Sequence, residues 1–205
     1  MRLPVCIIDD LLGPEASGAL LGFALERRAA FIPSTVYEDE ADGRVNPDFR
    51  ASLSYDGALG EVIAPLRAAI GERIGAIAAT TGVGDFEAVL RDVDLVAHCD
   101  GHRFGRHIDT ATGASRAVVP MVRMLSLVYY LHRTPRRFSG GELAVYPLAG
   151  SEPQVIAPRH DRLVAFPAIA PHEVRPISLP GNAFADARFA VVGWMMRPER
   201  AARAI

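Results

Sequence analysis

The sequence predicts an α+β domain: helices come first, and an antiparallel β-sandwich or barrel follows with the helices packed on one of its faces. Three observations predict this. Up to Gly84 the apolar residues recur at three- and four-residue intervals, the spacing of a helix face. Beyond Gly84, short stretches rich in β-branched and aromatic residues are separated by Gly, Pro and Ser clusters, which read as strands and turns. Helices followed by a run of strands, with no alternation between them, point to segregated layers. An immunoglobulin-like sandwich is the alternative for the β-rich part, but it offers no reason for the histidines discussed below.

Taken in order, Val5 to Asp9 reads as a short strand. Gly13-Pro14-Glu15 then starts a helix whose apolar face carries Leu20, Phe23, Ala24 and Leu25 and which ends near Ala30. Tyr37 to Arg50 is polar and turn-rich. Leu59, Val62, Ile63, Leu66, Ile70, Ile74 and Ile77 mark a second helix, stopped by Gly82. Pro65 within it predicts a kink or a fresh start, because proline lacks the N–H and clashes with the preceding turn. Strands are expected at Phe86 to Ala97, Met121 to Leu131, Glu142 to Tyr146, Gln154 to Ile156, Leu163 to Phe166, Glu173 to Ile177 and Phe189 to Met195.

No linker, low-complexity tract or repeat divides the 205 residues, so residues 1–205 are expected to form one domain, with a helix-rich support region at 1–84 and a β core at 85–205. Half of the residues are hydrophobic and 22% are charged, the profile of a soluble globular chain. Folding at this size buries roughly 70% of the unfolded surface. The fold therefore needs no structural metal, and a metal site is to be read as chemistry. The 22 basic residues, all arginine, against 24 acidic ones give a formal charge of −2, which argues against a polybasic face for nucleic acid or membrane. Two cysteines make no disulfide framework, and Asp9 and Asp10 interrupt the first apolar stretch before a signal-peptide core. No apolar run reaches the length of a membrane span. A reducing cytoplasm is the expected compartment. The sequence does not specify an assembly state.

His107-Ile108-Asp109 puts an imidazole and a carboxylate two residues apart, so on extended chain both side chains leave one face. His172, in Ala170-Pro171-His172-Glu173-Val174, adjoins an apolar strand that can carry it to the same interior. Two histidines and one carboxylate leave half of an octahedral metal open, the arrangement suited to non-haem Fe(II) that must also bind a co-substrate and O2. Downstream, alternation along Arg188 to Trp194 sets Arg188, Val192 and Trp194 on one face. A guanidinium at a strand end grips a carboxylate bidentately, and Tyr130 offers a phenol to a second carboxylate, so the pair suits a dicarboxylate. A zinc site of His98, Cys99 and His102 is the rival, but these crowd one loop with no fourth ligand. His98 and His102 read better as loop groups touching substrate, and His132 and His160 as solvated surface residues beside turns.

These residues, in this order, resemble the 2-oxoglutarate and Fe(II)-dependent dioxygenases, and within them the prolyl 4-hydroxylase group that includes the oxygen-sensing prolyl hydroxylases. The resemblance begins at Val5-Cys6-Ile7-Ile8-Asp9-Asp10-Leu11-Leu12 and continues through Arg123 to Leu131 and Ser139-Gly140-Gly141-Glu142-Leu143. It then runs from Asp161 to Phe166, through His172 to Pro176, and on to Arg188 and Trp194. It implies a double-stranded β-helix, or jelly roll. It implies His107, Asp109 and His172 as Fe(II) ligands, Arg188 as the salt-bridge partner of the distal 2-oxoglutarate carboxylate, and Tyr130 as a donor to it. Arg123 falls where members place an arginine against the substrate backbone, with a structural ion pair as its alternative. His98 lies close to the position of an active-site tyrosine in some relatives.

The implied reaction consumes 2-oxoglutarate and O2, releases succinate and CO2, and hydroxylates a C–H bond. A prolyl residue in a peptide or protein is the first expectation for substrate, bound in a groove bordered by the Tyr37 to Arg50 and His98 to Arg106 loops. A free amino acid or small metabolite is the second, and a non-catalytic metal-binding jelly-roll sensor is kept as a different class. Nucleic-acid dealkylation uses the same metal site but lacks a basic, aromatic-interleaved patch here. Three departures stand out. Leu179 to Ala185 looks inserted, as a hairpin or lip. Arg175 is a rival cation, although alternation turns it away from the face carrying His172. Val192 stands where some relatives have a polar residue. Gly140 and Gly141 are expected to shape a turn only.

Overall fold

The computed structural model describes residues 3–36, 44–110, 121–150 and 152–198. The chain opens with β1 (Cys6–Ile8) and helix α1 (Gly13–Glu26), followed by β2 (Phe31–Pro33), β3 (Arg50–Ala51), β4 (Leu53–Tyr55) and helix α2 (Ala64–Thr81). The β-rich part runs through β5 (Val89–His98), β6 (Arg103–His107), β7 (Met121–Leu131), β8 (Ser139–Gly140) and β9 (Leu143–Val145). It ends with β10 (Gln154–Ile156), β11 (Arg162–Pro167), β12 (His172–Val174), β13 (Ile177–Ser178) and β14 (Arg188–Pro198).

Two antiparallel sheets face each other in a double-stranded β-helix. The larger has the order β1-β11-β7-β14-β5-β4-β2 and the smaller β10-β9-β12-β6-β3, with β8 and β13 forming a separate pair. Alternation along the long central strands divides the interior in two. Leu125, Leu127, Tyr129 and Leu131 of β7, with Leu163, Ala165, Phe189 and Val191, pack against Leu20 and Ala24 of α1 and Leu66, Ile70 and Ile77 of α2. The intervening residues Tyr130, Val164, Phe166, Ala190 and Val96 point the other way, onto Leu143, Val145 and Ile156 of the smaller sheet. The helices thus cover one face of the large sheet and leave the other to face the smaller sheet, where the site lies.

Both helices match their sequence signals. Pro65 occupies the first turn of α2 after a 3-10 turn at Gly60–Ile63, so it marks a fresh start, where its missing N–H costs nothing. Gly82 closes the helix in the left-handed region at φ 71°, as a C-terminal glycine does. The N-terminus of α1 is capped from far away. The buried carboxylate of Asp161 accepts the backbone N–H of Leu12 (2.9 Å) and Gly13 (2.7 Å) and the hydroxyl of Tyr129 (2.6 Å). This ties α1 to the large sheet by groups 148 residues apart.

The strands at 121–131 and 154–156 fall where their composition places them, and the other expected strands overlap observed ones. Glu173 to Ile177 divides into β12 and β13. Five strands carried no usable sequence signal: β2, β3, β4, β6 and β8, each two to five residues long. They are held by pairing with longer neighbours rather than by their own periodicity. Among the described residues no helix is long and apolar enough to cross a membrane.

Candidate metal centre

His107 ends β6 and His172 opens β12, and the two residues are register partners, which brings their rings to 4.2 Å between centroids. Asp109 lies beyond the strand, which stops at His107. Its backbone N–H donates to Ala168 O (3.0 Å), and this turn directs the carboxylate back to the histidines. Asp109 Oδ1 is 3.6 Å from His107 Nε2, and Oδ2 is 3.5 Å from His172 Nε2. One ligand atom from each residue lies within 4.8 Å of the others, the single such cluster among the described residues.

The protonation of this cluster follows from its partners. His107 Nδ1 contacts Gly105 O at 2.7 Å and His172 Nδ1 contacts Ala170 O at 3.0 Å. A carbonyl only accepts, so each Nδ1 carries the proton and each Nε2 presents its lone pair to the space beside Asp109. Burial pushes His172 down to about 4, against the opposing attraction of Asp109. Burial alone would raise the Asp109 carboxyl, but contact with both imidazoles and the Ser126 hydroxyl (2.5 Å) holds it well below the usual carboxylate range. A carboxylate and two imidazole Nε2 atoms are a donor set that fits a divalent cation of borderline softness such as Fe(II).

Aromatic residues hold these ligands in place. Phe104 stacks on His107 (3.7 Å, 21° between planes), and Phe49 meets both rings edge-on. Gly105 makes room for this, since a Cβ there would lie 2.6 Å from the Phe49 ring. Phe166 abuts His172 edge-on at 4.7 Å.

The second cluster sits at the start of β14. Register pairs Arg188 with His98 and Ala190 with Tyr130. Arg188 is 1% exposed, its Cζ 4.7 Å from the Tyr130 ring centroid and its Nη1 3.2 Å from His98 Nδ1. Arg188 Nε and Nη2, Tyr130 OH and His98 Nε2 are buried with no hydrogen-bond partner among the described residues. Burial pushes the Arg188 guanidinium down and the Tyr130 phenol up from their ordinary values. A buried cation without an anion is costly, so these orphaned donors fit a carboxylate such as the distal one of 2-oxoglutarate. Gly141 does more than turn the chain: at φ 70°, a Cβ on it would lie 2.9 Å from Arg188 Cδ.

Arg123 reaches the inner face through a register shift in β7, which sets it opposite Met196. Its guanidinium lies 3.8 Å over the Trp194 ring, donates to Asp109 O (3.3 Å) and pairs with Asp92 at 3.5 Å. Trp194 Nε1 is buried with no hydrogen-bond partner among the described residues. Arg175 follows β12, its backbone N–H donating to Glu142 O. Cys99 is buried in the helix-side core, so His98, Cys99 and His102 do not converge on a metal. His132 and His160, expected to be solvated, instead clasp each other: each backbone N–H donates to the other's ring nitrogen, at 3.2 and 2.9 Å.

Leu179 to Ala185, expected as a hairpin or lip, folds back onto the helix-side core. Phe184 packs edge-on against Phe31 and Phe189, while Asp100 and Asn182 tie the segment to the turn after His98. Of the loops expected to border a substrate groove, residues 37–43 lie outside the described residues. Sequence reasoning missed Ser126, Phe49, Phe104 and the roles of Gly105 and Gly141. Among these, only the run of Phe104 and Gly105 just before His107 offered a signal.

A jelly roll with a two-histidine, one-carboxylate donor set on one sheet and, on the facing sheet, a buried arginine with two nitrogens unpartnered among the described residues is a scaffold suited to a mononuclear metal and an anionic ligand. The chain belongs to the 2OG-Fe(II) oxygenase superfamily, whose family model matches residues 94–196, and that family works with Fe(II), 2-oxoglutarate and O2. An uncharacterised PKHD-type hydroxylase of Synechocystis is 24% identical over 198 residues, covering 93% of this chain and 62% of the relative. Human Egl nine homolog 1 is 27% identical over 210 residues, covering 98% of this chain and 45% of the relative. The chain thus spans about half the length of these curated relatives.

Among solved structures, a prolyl hydroxylase of Trichoplax adhaerens in complex with a hypoxia inducible factor oxygen degradation domain peptide fragment superimposes with TM-score 0.70 at 22% identity. That match covers 94% of this chain and 83% of the other. A prolyl-4-hydroxylase of Pseudomonas putida superimposes with TM-score 0.65 at 22% identity, covering 95% and 92%.

Proposed function

We propose that the protein is a 2-oxoglutarate- and Fe(II)-dependent dioxygenase that hydroxylates a C–H bond, with a prolyl residue in a peptide or protein as its substrate class. The observation that carries this reading is the presence of two clusters on facing sheets: a His-Asp-His donor set held by β6 and β12 of the smaller sheet, and, on β14 and β7 of the larger, a buried arginine and tyrosine whose Nε, Nη2 and phenol oxygen have no hydrogen-bond partner among the described residues. In this reading His107, Asp109 and His172 hold Fe(II), and Arg188 and Tyr130 hold the distal carboxylate of 2-oxoglutarate. Bound iron supplies the redox chemistry in which 2-oxoglutarate and O2 become succinate and CO2 while a substrate C–H becomes C–OH.

The protein's own residues bind, orient and exclude water. Gly105 and Ala170 carbonyls fix both imidazole tautomers, Ser126 orients the Asp109 carboxylate, and Phe104 and Phe166 shield the ligand rings. Such fixed partners of the ligands are what tune a metal site. Arg123 and Trp194, stacked on the face beside Asp109, are placed to meet the substrate. The peptidyl reading draws on the solved relatives, one of which is a complex with a peptide fragment.

The test begins with anaerobic protein, Fe(II) and 2-oxoglutarate, where a weak visible charge-transfer band is expected, followed by succinate when air is admitted. No band and no succinate would leave a metal-binding sensor. Proline-containing peptides and free amino acids are then screened by mass spectrometry for gain of one oxygen. Oxygen gained only by free amino acids would overturn the peptidyl assignment.

A further inference from the structure

His98, expected from the sequence beside the substrate, is held instead against the co-substrate anchor. It closes β5 directly opposite Arg188, is 4% exposed, and places its Nδ1 3.2 Å from Arg188 Nη1. A guanidinium has donors only, so Nδ1 accepts and the imidazole proton sits on Nε2. Burial, and then the charges of Arg188 and Arg50, keep the ring neutral, as this contact requires. With Nη1 engaged, the atoms of Arg188 that have no hydrogen-bond partner among the described residues are Nε and Nη2. These nitrogens share one edge of the planar group, and that edge is the fork that matches a carboxylate bidentately.

We propose that His98 is a positioning residue for the co-substrate: by accepting from Arg188 Nη1 it locks the guanidinium plane so that the Nε and Nη2 edge is presented to the 2-oxoglutarate carboxylate. The guanidinium is otherwise constrained on its aliphatic side by Gly141, which leaves space for Cδ, and by the Tyr130 ring. Without an acceptor at the Nδ1 position a third buried N–H loses its partner and the fork is free to swivel. Both effects weaken carboxylate binding without touching the metal ligands.

The inference rests on the function proposed above, and the experiment separates the two. Binding of 2-oxoglutarate to Fe(II)-loaded, anaerobic protein is titrated through the charge-transfer band. Stabilisation of metal-free protein by glutarate, which has both carboxylates but no keto group to chelate, gives a second readout. In His98→Asn the amide oxygen sits where Nδ1 sits, and binding within about threefold of wild type is expected. In His98→Gln, of similar polarity but with its amide near the Nε2 position, and in His98→Leu, the dissociation constant rises about tenfold or more. The Fe(II) affinity and the kcat at saturating 2-oxoglutarate stay within about twofold in all three variants. If the glutamine and asparagine variants weaken alike, or the leucine variant binds like wild type, His98 does not position Arg188. Wild-type protein that binds neither 2-oxoglutarate nor glutarate would overturn the proposed function and this inference together.

Discussion

His107 and His172 face each other across the β6–β12 pair, and each ring is fixed in the same way, by the carbonyl two residues before it: Gly105 for one and Ala170 for the other. The chain therefore sets both tautomers locally before any metal arrives; register brings the two rings together, and the turn bonded to Ala168 O brings Asp109 to them. Loss of either imidazole leaves two donors and a gap in a buried polar site. His107→Ala and His172→Ala are expected to abolish measurable Fe(II) binding and succinate formation, read by metal titration and by product analysis. Wild-type iron content in either variant would move the centre elsewhere.

Ser126→Ala removes the hydroxyl that orients Asp109 Oδ2. A ligand that loses such a partner typically costs 10- to 100-fold in metal affinity, so a fall of about tenfold is expected. Competition against a chelator of known affinity measures it. Unchanged affinity would show that His107 and His172 orient the carboxylate unaided.

Arg188→Ala is expected to raise the 2-oxoglutarate requirement by about 100-fold, since a charge-assisted bidentate pair in a buried site is lost. Gly141→Ala displaces Arg188 Cδ and strains a left-handed backbone position, and should shift the requirement in the same direction by a smaller factor. Steady-state KM for 2-oxoglutarate reads both. A normal KM in the Arg188 variant would relocate the anchor.

Arg123→Ala separates the substrate side from the co-substrate side. Its guanidinium touches Trp194, the Asp109 carbonyl and Asp92. Succinate formation without substrate should persist at about the wild-type rate while coupled hydroxylation falls about tenfold or more. Unchanged hydroxylation would return Arg123 to a structural role with Asp92.

Acid should destabilise the metal-free protein in a defined window. His172 titrates at about 4 in the folded chain and near 6.5 when unfolded. Between those values the unfolded state binds more protons, so stability rises with pH across the window and is lost on acidification. The full difference is about 3 kcal/mol. Asp109, held low in the folded state, contributes in full above the ordinary carboxylate range and loses its contribution as the pH falls below it. Urea unfolding with a chelator at pH 7, 5.5 and 4.5 measures the slope, and a flat profile would mean that His172 is not buried neutral.

The periodicity of apolar residues foretold both helices, β-rich composition between turn residues foretold the long strands β5, β7 and β14, and the order of helices before strands foretold helices on one face of a sheet. The types and order of His107, Asp109, His172 and Arg188 raised the expectation of a metal cluster and an anion anchor, and the structure brings the first three within 4.8 Å of one another. Each of those readings needs only local information: which face a side chain leaves, and what its functional group can bind. Local pattern does not say what stands opposite. The capping of α1 by Asp161, the stacking of Phe104 on His107, the space at Gly141 and the grip of His98 on Arg188, residues 90 positions apart, were decided by strand register and sheet closure. Those are long-range properties, because pairing energy is shared among many backbone groups and no single residue carries it. The sequence by itself thus determined the chemical inventory and the layers. Tertiary packing decided which donors between the sheets have no partner among the described residues, and such donors are what a ligand can satisfy.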